Sequence, residues 1–209
     1  MSASAWYGMD NNAGLMLGFS PDRDAEIQFI LEQFSDSASA PVEPLVPTTD
    51  LRYMFGPKLR FLDQNNGNAI SLTGRVLFGR RVESGTSYGV FFAELVAGYK
   101  PSSALSFTTA AKLSAFSSTE IAGLGFGVNY ALSDKLELIG EVTPVGLDGG
   151  DTVWAAGLRY RIGDTGLMMD LQGTNAIGRV GVGSMIAQDD PRFALTFTKV
   201  FDLRGAKFY

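Results

Sequence analysis

The sequence predicts an all-β protein, a single closed antiparallel transmembrane β-barrel of about twelve strands. Three observations carry this expectation. Runs of roughly ten residues alternate apolar and polar side chains along the whole 209-residue chain, and a strand sends successive side chains to opposite faces. The polar face is built from Gly, Ser, Thr, Asn and spaced single charges rather than dense Lys and Glu, which suits a crowded lumen. Aromatic residues recur at one height along the runs, the placement that a membrane interface favours. A soluble sandwich or lipocalin-like barrel with its apolar face inward is the competing arrangement, and it gives no reason for aligned aromatics.

Composition restricts the chemistry. The chain has no histidine and no cysteine, which removes Ser-His catalysis, His-ligated zinc, thiol nucleophiles and disulfides. A net charge of -5 and a pI near 4.8 argue against nucleic acid as a partner. No run of ~18 apolar residues offers a transmembrane helix.

Taken in order, residues 12–20 set Ala13, Leu15, Leu17 and Phe19 on one face, and Pro21-Asp22-Arg23-Asp24 turns the chain. Residues 25–35 set Ile27, Phe29 and Leu31 against Glu26, Gln28 and Glu32. Residues 36–50, with three prolines, read as the longest loop. Residues 51–62 alternate Leu51, Tyr53, Phe55, Leu59 and Phe61 against Arg52, Met54, Lys58 and Arg60, and Pro57 implies a local break or bulge. Residues 69–80, 88–100 and 105–116 continue the pattern, with Arg75, Glu94, Lys100 and Lys112 on the polar face. Residues 121–161 supply three strands whose apolar face carries Leu124, Phe126, Tyr130, Trp154, Leu158 and Tyr160. Residues 166–173, 179–187 and 193–201 complete the count, with Asp189-Asp190 as a turn. The whole chain, 1–209, reads as one barrel domain whose strands span 12–201.

If these strands run alternately up and down, the odd-numbered ones end on one rim at Phe19, Phe61, Tyr99, Tyr130 and Tyr160. These five form the expected aromatic girdle, joined by Phe107 and Phe193 from returning strands. The same parity puts the chain ends on the rim of the 36–50 loop.

Twelve strands spaced ~4.8 Å and tilted ~40° close into a cylinder roughly 24 Å across. Its expected lining is Arg52, Lys58, Arg60, Arg75, Glu94, Lys112, Glu137, Glu141, Arg159, Arg161, Asp170 and Arg179. Glu26 and Glu32 fall beside Arg52, Lys58 and Arg60; Glu137 and Glu141 fall beside Arg159 and Arg161, which neighbour Asp170. Opposite charges on adjacent strands reinforce the wall by pairing across the ladder, while the basic surplus attracts small anions. Glu137 and Glu141 lie ~13 Å apart along one strand, too far to share one bond as acid and base. The glycines of residues 123–127 stand mid-strand with no helix after them, so they are no phosphate loop. They leave room for long side chains. No catalytic residue, cofactor or metal site is expected, and Asp189-Asp190 lacks a third ligand for calcium.

The final run, FALTFTKVF over residues 193–201, resembles the aromatic-ended last strand of bacterial outer-membrane β-barrel proteins, and the alternation extends that porin-like resemblance over nearly the whole chain. It implies an outer-membrane location, with the lipid bilayer, the barrel-assembly machinery and small hydrophilic or anionic solutes as partners. The function expected is a small passive pore. The alternative is a plugged structural or partner-binding barrel using the 36–50 loop.

Overall fold

The barrel starts earlier in the chain than the pattern indicates. The computed structural model describes residues 1–8, 12–35, 50–82, 89–146 and 150–201, so nearly all of the 36–50 loop lies outside the described residues. Its strands are β1 (Ser2–Gly8), β2 (Ala13–Phe19), β3 (Ala25–Gln33), β4 (Leu51–Leu62), β5 (Ser71–Arg81), β6 (Val90–Tyr99), β7 (Leu105–Phe116), β8 (Thr119–Ala131), β9 (Leu136–Thr143), β10 (Val145–Gly146), β11 (Val153–Ile162), β12 (Leu167–Ala176) and β13 (Ala187–Val200). Each pairs antiparallel with its neighbours, and β1 pairs with β13 from Ser2↔Val200 to Gly8↔Ala194. That last pairing removes both sheet edges. The two-residue β10 stays on β8 after Pro144, which has no N–H for the ladder, so β9 and β10 act as one interrupted stave. The result is a closed barrel of twelve staves.

Two departures from the alternation pattern cancel in that count. The pattern does not predict β1. Its outward face carries Ala3, Ala5 and Tyr7 while the bulky Trp6 points inward and is buried, so its greasy face is weak and inverted. Conversely, residues 179–187 do not form a strand. They belong to a segment that folds inward, with a 3-10 turn at Gly181–Met185. The Val180/Gly181/Val182/Gly183 alternation imitates a strand, but Val180, Gly181, Val182 and Gly183 are all buried, and Gly181 adopts φ +61°. Asp189 and Asp190 likewise are not a turn; they lie within β13. Pro57 interrupts the β4–β5 ladder between Phe55 and Lys58 without shifting register, and the register shift falls at Arg60/Leu62.

Adding β1 also corrects the rims. Ser2 and Val200 lie on the rim of the tight turns, while Ser35 and Asp50, which flank the long connection, lie on the opposite one. The tight turns are locally fastened. Asp22 Oδ1 accepts the N–H groups of Asp24 at 2.7 Å and Ala25 at 2.8 Å. Asp63 caps the 3-10 turn Gln64–Asn66, which Gly67 closes at φ +90°.

The outward face is apolar along every stave. Phe19, Phe61, Tyr99, Tyr130 and Tyr160 are exposed at the tight-turn rim, with Phe107 beside Tyr99. Phe193 is not among them. It pairs with Gly173 near the other rim, where Tyr7, Phe78, Phe91 and Trp154 also face out. From Phe91 to Tyr99 the chain advances roughly 26 Å, which a ~40° tilt projects to ~20 Å along the axis. Two aromatic levels thus bound an apolar belt that approaches the ~25 Å band of outer-membrane barrels. Among the described residues no helix is long and apolar enough to cross a membrane.

Candidate functional site: a lumen narrowed by an inward segment

The barrel interior has two halves. Toward the tight-turn rim it is open and polar. Lys58 and Arg161 are exposed there although their side chains belong to the inward face. Toward the opposite rim it is crossed by residues 177–186, which leave the end of β12 and reach β6, β7 and β8 on the far wall.

That segment is a tight hairpin. The Ile177 N–H donates to Ile186 O at 3.0 Å and the Gly178 N–H to Gly183 O at 3.0 Å. Gly178 and Gly183 are required by proximity. A Cβ on Gly183 would sit 2.7 Å from the Gly178 Cα and 2.7 Å from the Phe34 ring. At the apex, a Cβ on Gly181 would meet Met54 Sδ at 2.8 Å. Val182, Met185, Ile177 and Ile186 join Ile30, Phe34, Met54, Leu77, Phe92, Phe116 and Ile121 in one apolar cluster inside the barrel. Val182 and Ile177 are 0% exposed. Burying each such side chain contributes about 1.5–3 kcal/mol, so the cluster holds the segment in place.

Polar anchors fix its approach. The Ser35 N–H donates to Ile177 O at 2.8 Å, and Asn12 Nδ2 donates to the same oxygen at 2.5 Å. Glu32, wholly buried, accepts the Arg179 N–H at 2.5 Å. The Arg179 guanidinium reaches Asp170 Oδ2 at 3.1 Å. These contacts satisfy backbone groups that would otherwise be buried without partners.

Below the segment a belt of ion pairs lines the wall. Arg159 clasps Asp170 through Nε at 2.8 Å and Nη2 at 2.9 Å, a fork geometry that matches a carboxylate. Arg179 shares that carboxylate. Arg75 pairs with Glu94 at 2.6 Å, and Arg161 pairs with Glu137. Glu141 does not pair with an arginine as its strand neighbours suggested. Lys112, on β7, reaches across β8 to Glu141, on β9, at 2.5 Å. Gly125 makes that reach possible. A Cβ there would lie 3.0 Å from Thr143 Oγ1 and 3.3 Å from Glu141 Oε1. The inward glycines of β8 are therefore the floor of a groove spanned by a salt bridge.

The remaining charges go elsewhere. Arg52 is buried at the filled end, 4.9 Å above the Phe34 ring, and donates to Asp50 O at 2.8 Å. Arg60 stands at the tight-turn rim between Asp24 and Asp63, each at 3.0 Å. Lys58 neighbours Glu26 and Arg75 in register, while Glu26 accepts from Ser2 Oγ and Gln28 Nε2. So Arg75, Glu94, Lys112, Glu141, Arg159, Asp170 and Arg179 come together around one cavity of about 440 Å³. Arg52, Lys58, Arg60, Glu137 and Arg161 are not part of its lining. Trp6, Asn12, Thr174 and Thr196 are, without having been singled out from the sequence, and so is Gln172, which the alternation of 166–173 puts on the polar face with Asp170. Thr196 lies on the polar face of the 193–201 run, and Thr174 falls one residue beyond the 166–173 run.

No protein-family model matches the sequence, and no curated protein matches it. Solved structures do. The KdgM porin, solved in complex with disordered oligogalacturonate, superposes with a TM-score of 0.69 at 9% identity, covering 97% of this chain and 100% of that one. The NanC porin gives 0.61 at 9% identity, covering 97% and 99%. An outer-membrane channel from Pseudomonas putida F1 gives 0.59 at 11% identity, covering 96% and 94%. At such identities the likeness shows the fold, a porin-like twelve-stave barrel.

Proposed function

We propose that this chain is a narrow passive pore for small hydrophilic solutes in a bacterial-type outer membrane. The observation that carries the reading is the continuity of the polar cavity. Its lining runs from Asn129 and Thr198 in the tight-turn half to Asn12, Val153 and Ser184 in the half that the inward segment occupies. A water-lined path with charged and hydroxyl side chains lowers the barrier to small polar solutes, and the apolar belt outside seats the barrel in lipid. The paired aromatic levels anchor it at the two interfaces. The outward aromatic end of β13 is the element we assign to recognition by the assembly machinery. No catalysis is proposed, because the lumen offers no histidine and its carboxylates are engaged with arginine and lysine.

The likeness to a porin solved with oligogalacturonate supports solutes of that general kind, small, hydrophilic and anionic. The belt adds to this: Arg75, Lys112, Arg159 and Arg179 outnumber Glu94, Glu141 and Asp170 around the cavity. The burial of residues 177–186 favours a second reading, a plugged barrel that binds a partner. Planar-bilayer recording of the purified protein separates the two. A pore gives discrete ohmic current steps in KCl; a plugged barrel gives no current above the lipid background.

A further inference from the structure

We propose that residues 177–186 are a fixed inner wall of the pore, confining solutes to an off-axis passage, with Arg179 as the charge on its edge. This rests on the pore reading above and names what sets the passage's width and selectivity.

Three observations carry it. The cavity takes lining residues from β1, β2, β5–β9, β11, β12 and β13 but none from β3 or β4. The space before β3 and β4 is instead filled by the segment packed on Ile30, Phe34 and Met54. The passage therefore follows the opposite wall.

The segment is also tied down at both its base and its edge. Its base is closed by the Ile177–Ile186 and Gly178–Gly183 hydrogen bonds, and Glu32 and Asp170 hold Arg179 from two sides. A segment with Val182 at 0% and Met185 at 1% exposure would have to expose that surface in order to swing out. Gating by release is disfavoured, and the segment works as part of the wall.

Finally, Gly178, Arg179 and Ser184 face the cavity, Val182 and Met185 face the apolar cluster, and Val180 borders both. Arg159 already occupies both oxygens of Asp170. Two guanidiniums thus share one carboxylate, and Arg179 tips the Arg159–Asp170–Arg179 cluster toward positive charge beside the passage. No strand of the barrel supplies this cation; the segment delivers it.

Single-channel recording in KCl tests this with three proteins: the wild type, a variant in which residues 179–185 are replaced by a short Gly-Ser turn, and Arg179→Gln. Heat-modifiable migration on gels checks that each barrel has folded. The shortened variant is expected to raise unit conductance by at least about twofold. Arg179→Gln, which leaves Asp170 clasped by Arg159, is expected to move the reversal potential in a KCl gradient toward cations. A folded shortened variant with wild-type conductance overturns the proposal. Should that variant fail to fold, an unshifted reversal potential in Arg179→Gln overturns it. If the wild type is silent and the shortened variant conducts, the segment is a plug and the wall is refuted. If all are silent, the pore reading fails and takes the wall with it.

Discussion

Asp170 is where the interior charges are most tightly coupled, since two guanidiniums share its carboxylate and its own side chain is almost inaccessible. Removing that charge leaves Arg159 and Arg179 facing each other uncompensated. Both arginines retain some contact with lumen water, so the loss is smaller than for a dry ion pair. Asp170→Asn should lower stability by about 1–3 kcal/mol in urea unfolding from lipid vesicles, and should increase anion preference in reversal-potential measurements. Wild-type behaviour in both would show that the triad is ornamental. Gly125 gives a second test of the same belt. Gly125→Ala intrudes on Thr143 and Glu141, whereas a Cβ at Gly140 meets nothing nearer than 3.7 Å. The first substitution is expected to cost about 1 kcal/mol or more through displacement of Glu141, the second far less. Equal shifts in the unfolding midpoint would remove the steric account of the glycine groove.

At the scale of the strand, alternation made most of the architecture legible, because each outward position must tolerate lipid and each inward one the lumen. Leu124 faces out and Asn129 faces in on the same strand, β8. Arginine at Leu124 should cost about 2–4 kcal/mol in folding into vesicles, and arginine at Asn129 much less. If the two cost the same, β8 does not lie between lipid and lumen. Two elements escaped that logic for physical reasons. β1 carries small outward residues and an inward tryptophan, so its apolar moment points the wrong way. The 177–186 segment buries Ile177, Val182, Met185 and Ile186 against protein rather than lipid, and its alternating valines and glycines imitate a two-residue period. Of the candidate site, the charges were legible as types but their partners were not. Lys112 finds Glu141 across an intervening strand, and no neighbour rule anticipates a bridge that depends on missing side chains.

For the molecule as a whole, the barrel combines a greasy exterior with a lumen that is open at one end and narrowed at the other. Closure through β1 and β13 leaves no free edge among the described strands, and Ser2 and Val200 lie on the rim of the tight turns. On the proposed pore reading, solute preference follows from the width left beside the inward segment and from the balance of charge around the cavity. The proposed passage of small hydrophilic molecules through this barrel is measured by the swelling of liposomes reconstituted with the wild-type protein. Rapid swelling is expected with small sugars and sugar acids, at rates that fall steeply as solute size increases. Swelling no faster than in protein-free liposomes, for every solute tried, would contradict it.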